Sequence, residues 1–312
     1  QRATPSSPTT NVMKVIVPRT SDIPASDLRL GSRTFRPGEF AVMAIINRTP
    51  DSFYDEGRTF AQDAALDHLD AVVADGADIV DIGGVRAGYG PSVDAAEELD
   101  RTGAFVAETR SRYPDIVISV DTWRSGVADA LCALGADIVN DTWSGHDPEL
   151  ASVAAAHGAG LVCSHTGGLP PRTDPHRAAY DDVVADVIAT TTALAERAVA
   201  AGVRRDAIMI DPTHDFGKNT RHSLELTRRL DELVATGWPV LVALSNKDFI
   251  GETLDLSKDQ RLAGTLAATA YSAQKGARIF RAHNVAETRQ VLDMIASIEG
   301  RRQPSVSRRG LA

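Results

Sequence analysis

Four times in this 312-residue chain a helical pattern closes on a glycine and a short apolar run follows at once. The instances are Ala74-Asp75-Gly76-Ala77-Asp78-Ile79-Val80, Leu134-Gly135-Ala136-Asp137-Ile138-Val139, His157-Gly158-Ala159-Gly160-Leu161-Val162 and Lys275-Gly276-Ala277-Arg278-Ile279-Phe280. Glycine reaches the left-handed conformation that ends a helix, and the run after it suits a strand buried on both faces. Extending this reading predicts strands at 41–46, 78–82, 116–120, 137–140, 160–164, 207–211, 239–244 and 278–282. Helical patterns fall at 62–75, 94–112, 124–134, 148–157, 180–201, 220–236, 258–275 and 285–299. Eight strand-then-helix units in this length predict a single (β/α)₈ TIM barrel, with a doubly wound sheet as the competing arrangement.

The barrel is expected to span residues 29–300. Residues 1–28 read as a largely disordered tail, because the first ten are rich in Ser, Thr and Pro. Residues 301–312 read as a disordered basic tail with four arginines. A formal net charge of −9 argues against a nucleic-acid partner. Two cysteines cannot build a disulfide framework and read as reduced thiols. No apolar run approaches a membrane span, and no basic-then-apolar leader opens the chain. The expected location is cytoplasmic, with no membrane partner.

In a parallel barrel the carboxyl ends of the strands form the working face. Here those ends are polar in succession: Asn47, Asp81, Asp121, Asn140-Asp141, Ser164-His165, Asp211, Ser245-Asn246-Lys247 and Arg281-Ala282-His283. Asp81 or Asp141 alone suits a loop cap, and His165 alone suits a satisfied core histidine. Together they predict one shared pocket, because buried polar groups need partners. Asp121, Asn140, Asp211 and Lys247 suit a flat heterocycle with amide and amino edges. Arg281 and His283, two residues apart, face the same way and suit an anion, or an ordinary salt bridge. Asn47 suits a hydrated Mg²⁺ that completes its shell with water and phosphate. There is no Walker loop, no dinucleotide fingerprint and no Cys/His cluster for zinc.

Taken in order, these residues resemble the dihydropteroate synthase family. The resemblance rests on Asn47…Thr49-Pro50-Asp51-Ser52-Phe53, Asp81-Ile82-Gly83-Gly84, Ser119-Val120-Asp121-Thr122, Asn140-Asp141, Asp211-Pro212…Phe216-Gly217-Lys218, Lys247…Phe249-Ile250-Gly251 and Arg281…His283. It implies a homodimeric (β/α)₈ transferase of folate biosynthesis that joins a pterin methyl diphosphate to p-aminobenzoate with Mg²⁺. By the same resemblance Asp121, Asn140, Asp211, Lys247 and Phe216 would bind the pterin. Asn47, Arg281 and His283 would meet the diphosphate, with Asn47 near the metal. Catalysis would fall to Lys247, Asp211, Arg281 and His283.

The chain departs from that family on the acceptor side. After the second strand the family reads Gly-Glu-Ser-Thr-Arg-Pro-Gly, and this chain reads Gly84-Val85-Arg86-Ala87-Gly88-Tyr89-Gly90. Ala87 and Gly88 thus stand for Thr and Arg, and Arg86 lies two positions too early, a shift of roughly 6–7 Å along a strand. After the seventh strand Ser-Arg-Lys-Ser becomes Ser245-Asn246-Lys247-Asp248. Asp248 is expected to cap the following helix and to repel the acceptor's carboxylate. Arg48 beside Thr49, Ser164-His165-Thr166-Gly167 and Asn284 are further departures. The resemblance therefore implies a pterin-binding paralogue with weak or no family activity, or with another acceptor. The alternatives are a fully active dihydropteroate synthase, a non-enzymatic pterin-binding protein and a methyltransferase-type pterin barrel.

Overall fold

The computed structural model describes residues 26–49, 62–88, 90–173 and 178–310. The stretch Pro50-Asp51-Ser52-Phe53, Tyr89 and the Ser/Thr/Pro-rich start of the chain lie outside the described residues.

A short antiparallel hairpin, β1 (Leu28–Leu30) and β2 (Arg33–Phe35), precedes the barrel. The eight barrel strands are β3 (Ala41–Asn47), β4 (Ile79–Gly83), β5 (Val117–Asp121), β6 (Ile138–Asp141), β7 (Gly160–Ser164), β8 (Ile208–Asp211), β9 (Leu241–Val242) and β10 (Ile279–Ala282). They pair in parallel in the order β8-β7-β6-β5-β4-β3-β10-β9. A parallel bridge between Ile210 and Val240 joins the two ends of that order and closes the ring. Strand β9 is shorter than the expected 239–244. Pro239 has no N–H to give to the ladder, although its carbonyl takes the Ile210 amide at 2.9 Å.

Helices α1 (Gln62–Ala74), α2 (Ala95–Arg112), α3 (Ser125–Ala133), α4 (Leu150–Ala156) and α5 (Val183–Ala200) follow the first five barrel strands. Asp94 and Asp182 cap α2 and α5 through their carboxylates. The helix expected at 220–236 is broken into α6 (Thr220–Arg228) and α7 (Leu230–Val234). The break is Arg229, whose guanidinium is bonded to Asp182, Glu225 and Glu232. The helix expected at 258–275 is α9 (Leu262–Gln274), and the helix expected to start at Asp248 is α8 (Asp248–Leu254). Helix α10 (Val285–Ile298) ends the barrel.

Alternation along the strands sorts their side chains into two cores. Val42, Ala44, Ile46, Val80, Ile82, Ile118, Val120 and Val139 face the helices. Ala41, Met43, Ile79, Val117, Ile138, Val162, Met209, Leu241 and Ile279 face the barrel axis, one or two from each strand. The hairpin adds Leu28, Leu30 and Phe35 to this axial cluster and stoppers the amino-terminal end. Two aspartates pin that end. Asp78 accepts the Val42 amide and Asp137 the Ile118 amide, each at 2.9 Å. Asp78 also meets Arg33 of β2 and Arg289 of α10, and Asp137 meets Arg110 of α2.

The tail after α10 contains no helix or strand over 301–310. Its first arginine nonetheless lies 4.5 Å over the Phe40 ring, and Arg302 pairs with Asp293.

The hairpin stopper is a load on stability rather than on the site. Leu30→Ala is expected to lower the unfolding free energy by about 3 kcal/mol, read as a shifted urea midpoint with an unchanged slope. A shift below about 1 kcal/mol would show that the hairpin does not share the axial core.

Candidate functional site

The alternation that fills the bottom of the barrel with hydrocarbon sends the next inward residue of each strand to its open end. Ile45 and Asn47, Asp81, Ser119 and Asp121, Asn140, Asp211, Ala243, and Arg281 and His283 take these places. All but Asp81 and Ser119 line a cavity of about 440 Å³. Asp81 and Ser119 lie fully buried beneath its floor. The cavity also takes in Thr49, Arg86, Ala87, Gly88, Phe216, Lys247 and Asp248. Every residue to which the family resemblance assigns a place in the site therefore lines one space, which is geometry and not yet a role.

Arg281 organises the floor. Its Nε donates to Asp81 Oδ2 at 2.6 Å and its Nη2 to Asp121 Oδ2 at 3.1 Å. Asp81 also accepts from the Ser119 hydroxyl at 2.6 Å and from the Asn140 amide at 3.2 Å. Asp121 accepts from the Thr142 hydroxyl at 2.9 Å. One guanidinium faces two carboxylates, so the pair cannot be fully neutralised. Burial pushes the Asp121 carboxyl up to about 7, against the pull of Arg281.

Asp211 stands opposite. Burial raises its carboxyl as well, while the Thr213 amide at 2.7 Å, Lys247 and Lys218 hold it down. Lys247 donates to the His214 carbonyl at 3.0 Å and lies 4.3 Å over the Phe216 ring. Lys218 is enclosed by the carbonyls of His165, Thr213 and Phe216 at 2.8–3.1 Å, so its three donors are all used. It locks the loop after β8. On the Arg281 side, burial and then the Arg281 charge push His283 down to about 3. His283 is thus a neutral ring near pH 7, and Arg281 is already paired.

Besides the buried Asp81, three polar strand-end residues stay out of the cavity: Asp141, Ser164, whose hydroxyl donates to the Asp141 carbonyl, and His165. Asp141 turns outward and accepts the amides of Trp143 and Gly145, a loop cap. His165 also turns outward, its Nε2 meeting Asp186 of α5 at 2.7 Å while its buried Nδ1 has no hydrogen-bond partner among the described residues. Arg48 turns outward too. Sequence reasoning counted it among the acceptor-side changes, but its side chain is buried against α2. There it bonds the Arg101 carbonyl at 3.2 Å and lies 5.0 Å from the Phe105 ring. Residues 47 and 49 face in, so residue 48 faces out.

Asp248 requires a second correction. It was expected to cap α8, but the first amides of that helix are held by Asp215. Asp215 Oδ2 accepts from the Asp248 amide at 2.7 Å and the Phe249 amide at 3.3 Å. The Asp248 side chain is 79% exposed and pairs with Arg261 at 2.7 Å. Arg86 also behaves differently from expectation. Its guanidinium folds back to within 3.5 Å of where a Cβ on Gly88 would lie.

The sequence reading missed Asp215, Thr142, Trp143 and Arg261, all in the lining. The mark on Asp215 is one that only the structure shows. Thr213 and Asp215 both take left-handed backbone, φ 53° and 70°, in a Pro-Thr-His-Asp-Phe-Gly loop. Non-glycine residues so held cost of order 1 kcal/mol each and mark sites that the surroundings over-determine.

Residues 43–283 match the family described as pterin binding enzyme. The chain is 58% identical over 275 residues to "Inactive dihydropteroate synthase 2" of Mycobacterium leprae, covering 87% of this chain and 94% of that protein. It is 38% identical over 256 residues to "Dihydropteroate synthase" of Bacillus subtilis, covering 81% and 87%. Among solved structures, the Yersinia pestis dihydropteroate synthase with a sulfonamide drug superposes with a TM-score of 0.83 at 32% identity. That match covers 88% of this chain and all of that one.

The floor makes a pH prediction. Asp121 is raised from 3.8 to about 7, so the folded chain holds its proton over a range where the unfolded chain does not. Its contribution is fully present below about pH 4 and is lost as pH rises through about 7. Urea unfolding of the native chain against Asp121→Asn should show this. The native chain loses ground by at most about 1.4 kcal/mol per pH unit across that window. A difference that does not change with pH would contradict the assignment.

Proposed function

We propose, from the premise that this chain belongs to the pterin-binding enzyme family among the dihydropteroate synthases, that it is a pterin-binding paralogue with weak or absent condensation activity. The family reaction joins a 6-hydroxymethyl-7,8-dihydropterin diphosphate to p-aminobenzoate in folate biosynthesis. The carrying observation is an asymmetry within one cavity. The floor of Asp121, Asn140, Asp211 and Lys247 is assembled, while the loop-two wall supplies Arg86, Ala87 and Gly88 in place of a projecting cation.

In this reading the amide and carboxylate edges of Asp121, Asn140 and Asp211 hold the pterin, and Lys247 orients it beside the Phe216 ring. Asp211 would stabilise positive charge on the pterin. Asn47, Arg281 and His283 face the diphosphate. There the chain offers little unspent charge, because Arg281 serves two carboxylates and burial keeps His283 neutral. A leaving group stabilised this poorly leaves the chemical step slow. Thr49, Arg86, Ala87, Gly88 and Asp248 form the altered acceptor side.

Asn47 offers one amide oxygen and Thr49 one hydroxyl to a metal. Among the described residues no three His, Cys, Asp or Glu side chains gather as a cage. This set fits a hydrated Mg²⁺ held jointly with substrate phosphate. When bound, the ion would neutralise charge on the diphosphate.

We take residues 29–300 as the pterin-binding unit and the chain as a cytoplasmic homodimer. No helix among the described residues is long and apolar enough to cross a membrane. Tyr271 of α9 and Met294 and Ile298 of α10 are 41%, 60% and 66% exposed on helices that pack together, and they suit a face between two copies. Sedimentation should find a dimer that Met294→Lys with Ile298→Lys turns into a monomer. A native monomer would contradict this.

A steady-state assay with the pterin diphosphate and p-aminobenzoate tests the main reading. Turnover is expected at least about a hundredfold below that of the B. subtilis enzyme, as a misplaced reacting group produces. Ala87→Thr with Gly88→Arg should recover about tenfold or more. Native turnover matching the B. subtilis enzyme would establish the active alternative instead.

A further inference from the structure

The wall formed by the β8–α6 loop and the start of α8 carries its own carboxylates. Asp215 Oδ2 holds the amides of Asp248 and Phe249, and its Oδ1 accepts from the Ser223 hydroxyl at 3.1 Å. The Ser223 oxygen in turn accepts the Asp215 amide at 3.1 Å. Beside it Asp248 Oδ1 holds Arg261 Nη1, which also donates to the Asn246 carbonyl at 2.9 Å. Lys247 gives its ammonium to the His214 carbonyl and to the Phe216 face. The amides of 248 and 249 are therefore taken by Asp215, while Arg261 and Lys247 each already serve at least one acceptor of the chain itself. Next to them the lining is aromatic. Trp143 meets Phe216 edge to face at 5.8 Å, and Trp123 backs Trp143 at 6.4 Å.

A carboxylate entering this wall must give up water, and it regains nothing unless donors meet it. Here Asp215 already takes the two amides, and Asp215 and Asp248 add like charge. A neutral or cationic aromatic group meets no such obstacle, because ring faces and carboxylate oxygens both favour it.

We propose that Asp215 is the specificity-determining residue for the second substrate. Its carboxylate stands where an acceptor's acid group would have to dock, so the cavity admits neutral or cationic aromatic nucleophiles and turns away carboxylates. The assignment rests on the pterin reading only in taking this wall as the acceptor side.

The test is isothermal titration of the full chain with 4-aminobenzoate and with its neutral counterpart 4-aminobenzamide. The variants are Asp215→Gly, which suits the left-handed backbone, and Asp215→Asn, which keeps an acceptor oxygen without the charge. The native chain should bind the amide at least tenfold more tightly than the acid. Either variant should raise affinity for the acid at least tenfold and change affinity for the amide by less than threefold. A merely structural role for Asp215 would move both probes together, and that result overturns the proposal. Native preference for the acid overturns it, as does failure of every form to bind either probe. Should the glycine variant fail to fold, the asparagine variant decides. Pterin binding is titrated separately. Its absence in the native chain removes the pterin reading, while the acid-against-amide comparison still judges Asp215.

Discussion

The Arg281 guanidinium between Asp81 and Asp121 is the contact on which the rest of the site depends. It lies at the level where the barrel changes from a hydrocarbon-filled core to an open polar mouth. A buried arginine of this kind is costly to strip of its partners. Asp81 is fixed by Ser119 and Asn140, and Asp121 by Thr142. Arg281 thereby ties β4, β5, β6 and β10 together across the axis. The same contact that fixes the cavity floor keeps the arginine's Nε and Nη2 on two carboxylates of the chain.

The strand order gives this arrangement its precision. Parallel register sets Asp81 beside Ser119, Asp121 beside Asn140, and Ser164 beside Asp211. Alternation then decides which of two adjacent polar residues enters the cavity. Asn140 enters and Asp141 does not; Asn47 enters and Arg48 does not. Loop chemistry completes the mouth. The Lys218 ammonium, enclosed by three carbonyls, holds the loop that carries Asp215 and Phe216 to the end of β7, and Asp215 joins that loop to the start of α8.

Much of this was legible in the sequence. The glycine-then-strand device located the strands, because it reflects local backbone conformation, and the polar residue ending each strand announced a common mouth. The errors arose where the outcome depends on contacts distant in sequence. The helix break falls at Arg229, where Asp182, 47 residues away, meets its guanidinium. Asp248 looked like a cap because of its position, but Asp215, 33 residues away, reaches the amides first. Arg48 looked like an acceptor-side change until strand parity turned it toward Phe105.

What emerges is a cavity whose floor is assembled and whose two working walls are occupied by the chain's own groups. The most direct test compares 6-hydroxymethyl-7,8-dihydropterin with its diphosphate as ligands of the native chain, by equilibrium titration in the presence of Mg²⁺. The account predicts saturable binding of the pterin, with the diphosphate changing affinity by no more than about threefold, since one tenfold step already requires about 1.4 kcal/mol of new contact. A diphosphate bound a hundredfold more tightly, or a pterin that does not bind, would contradict it.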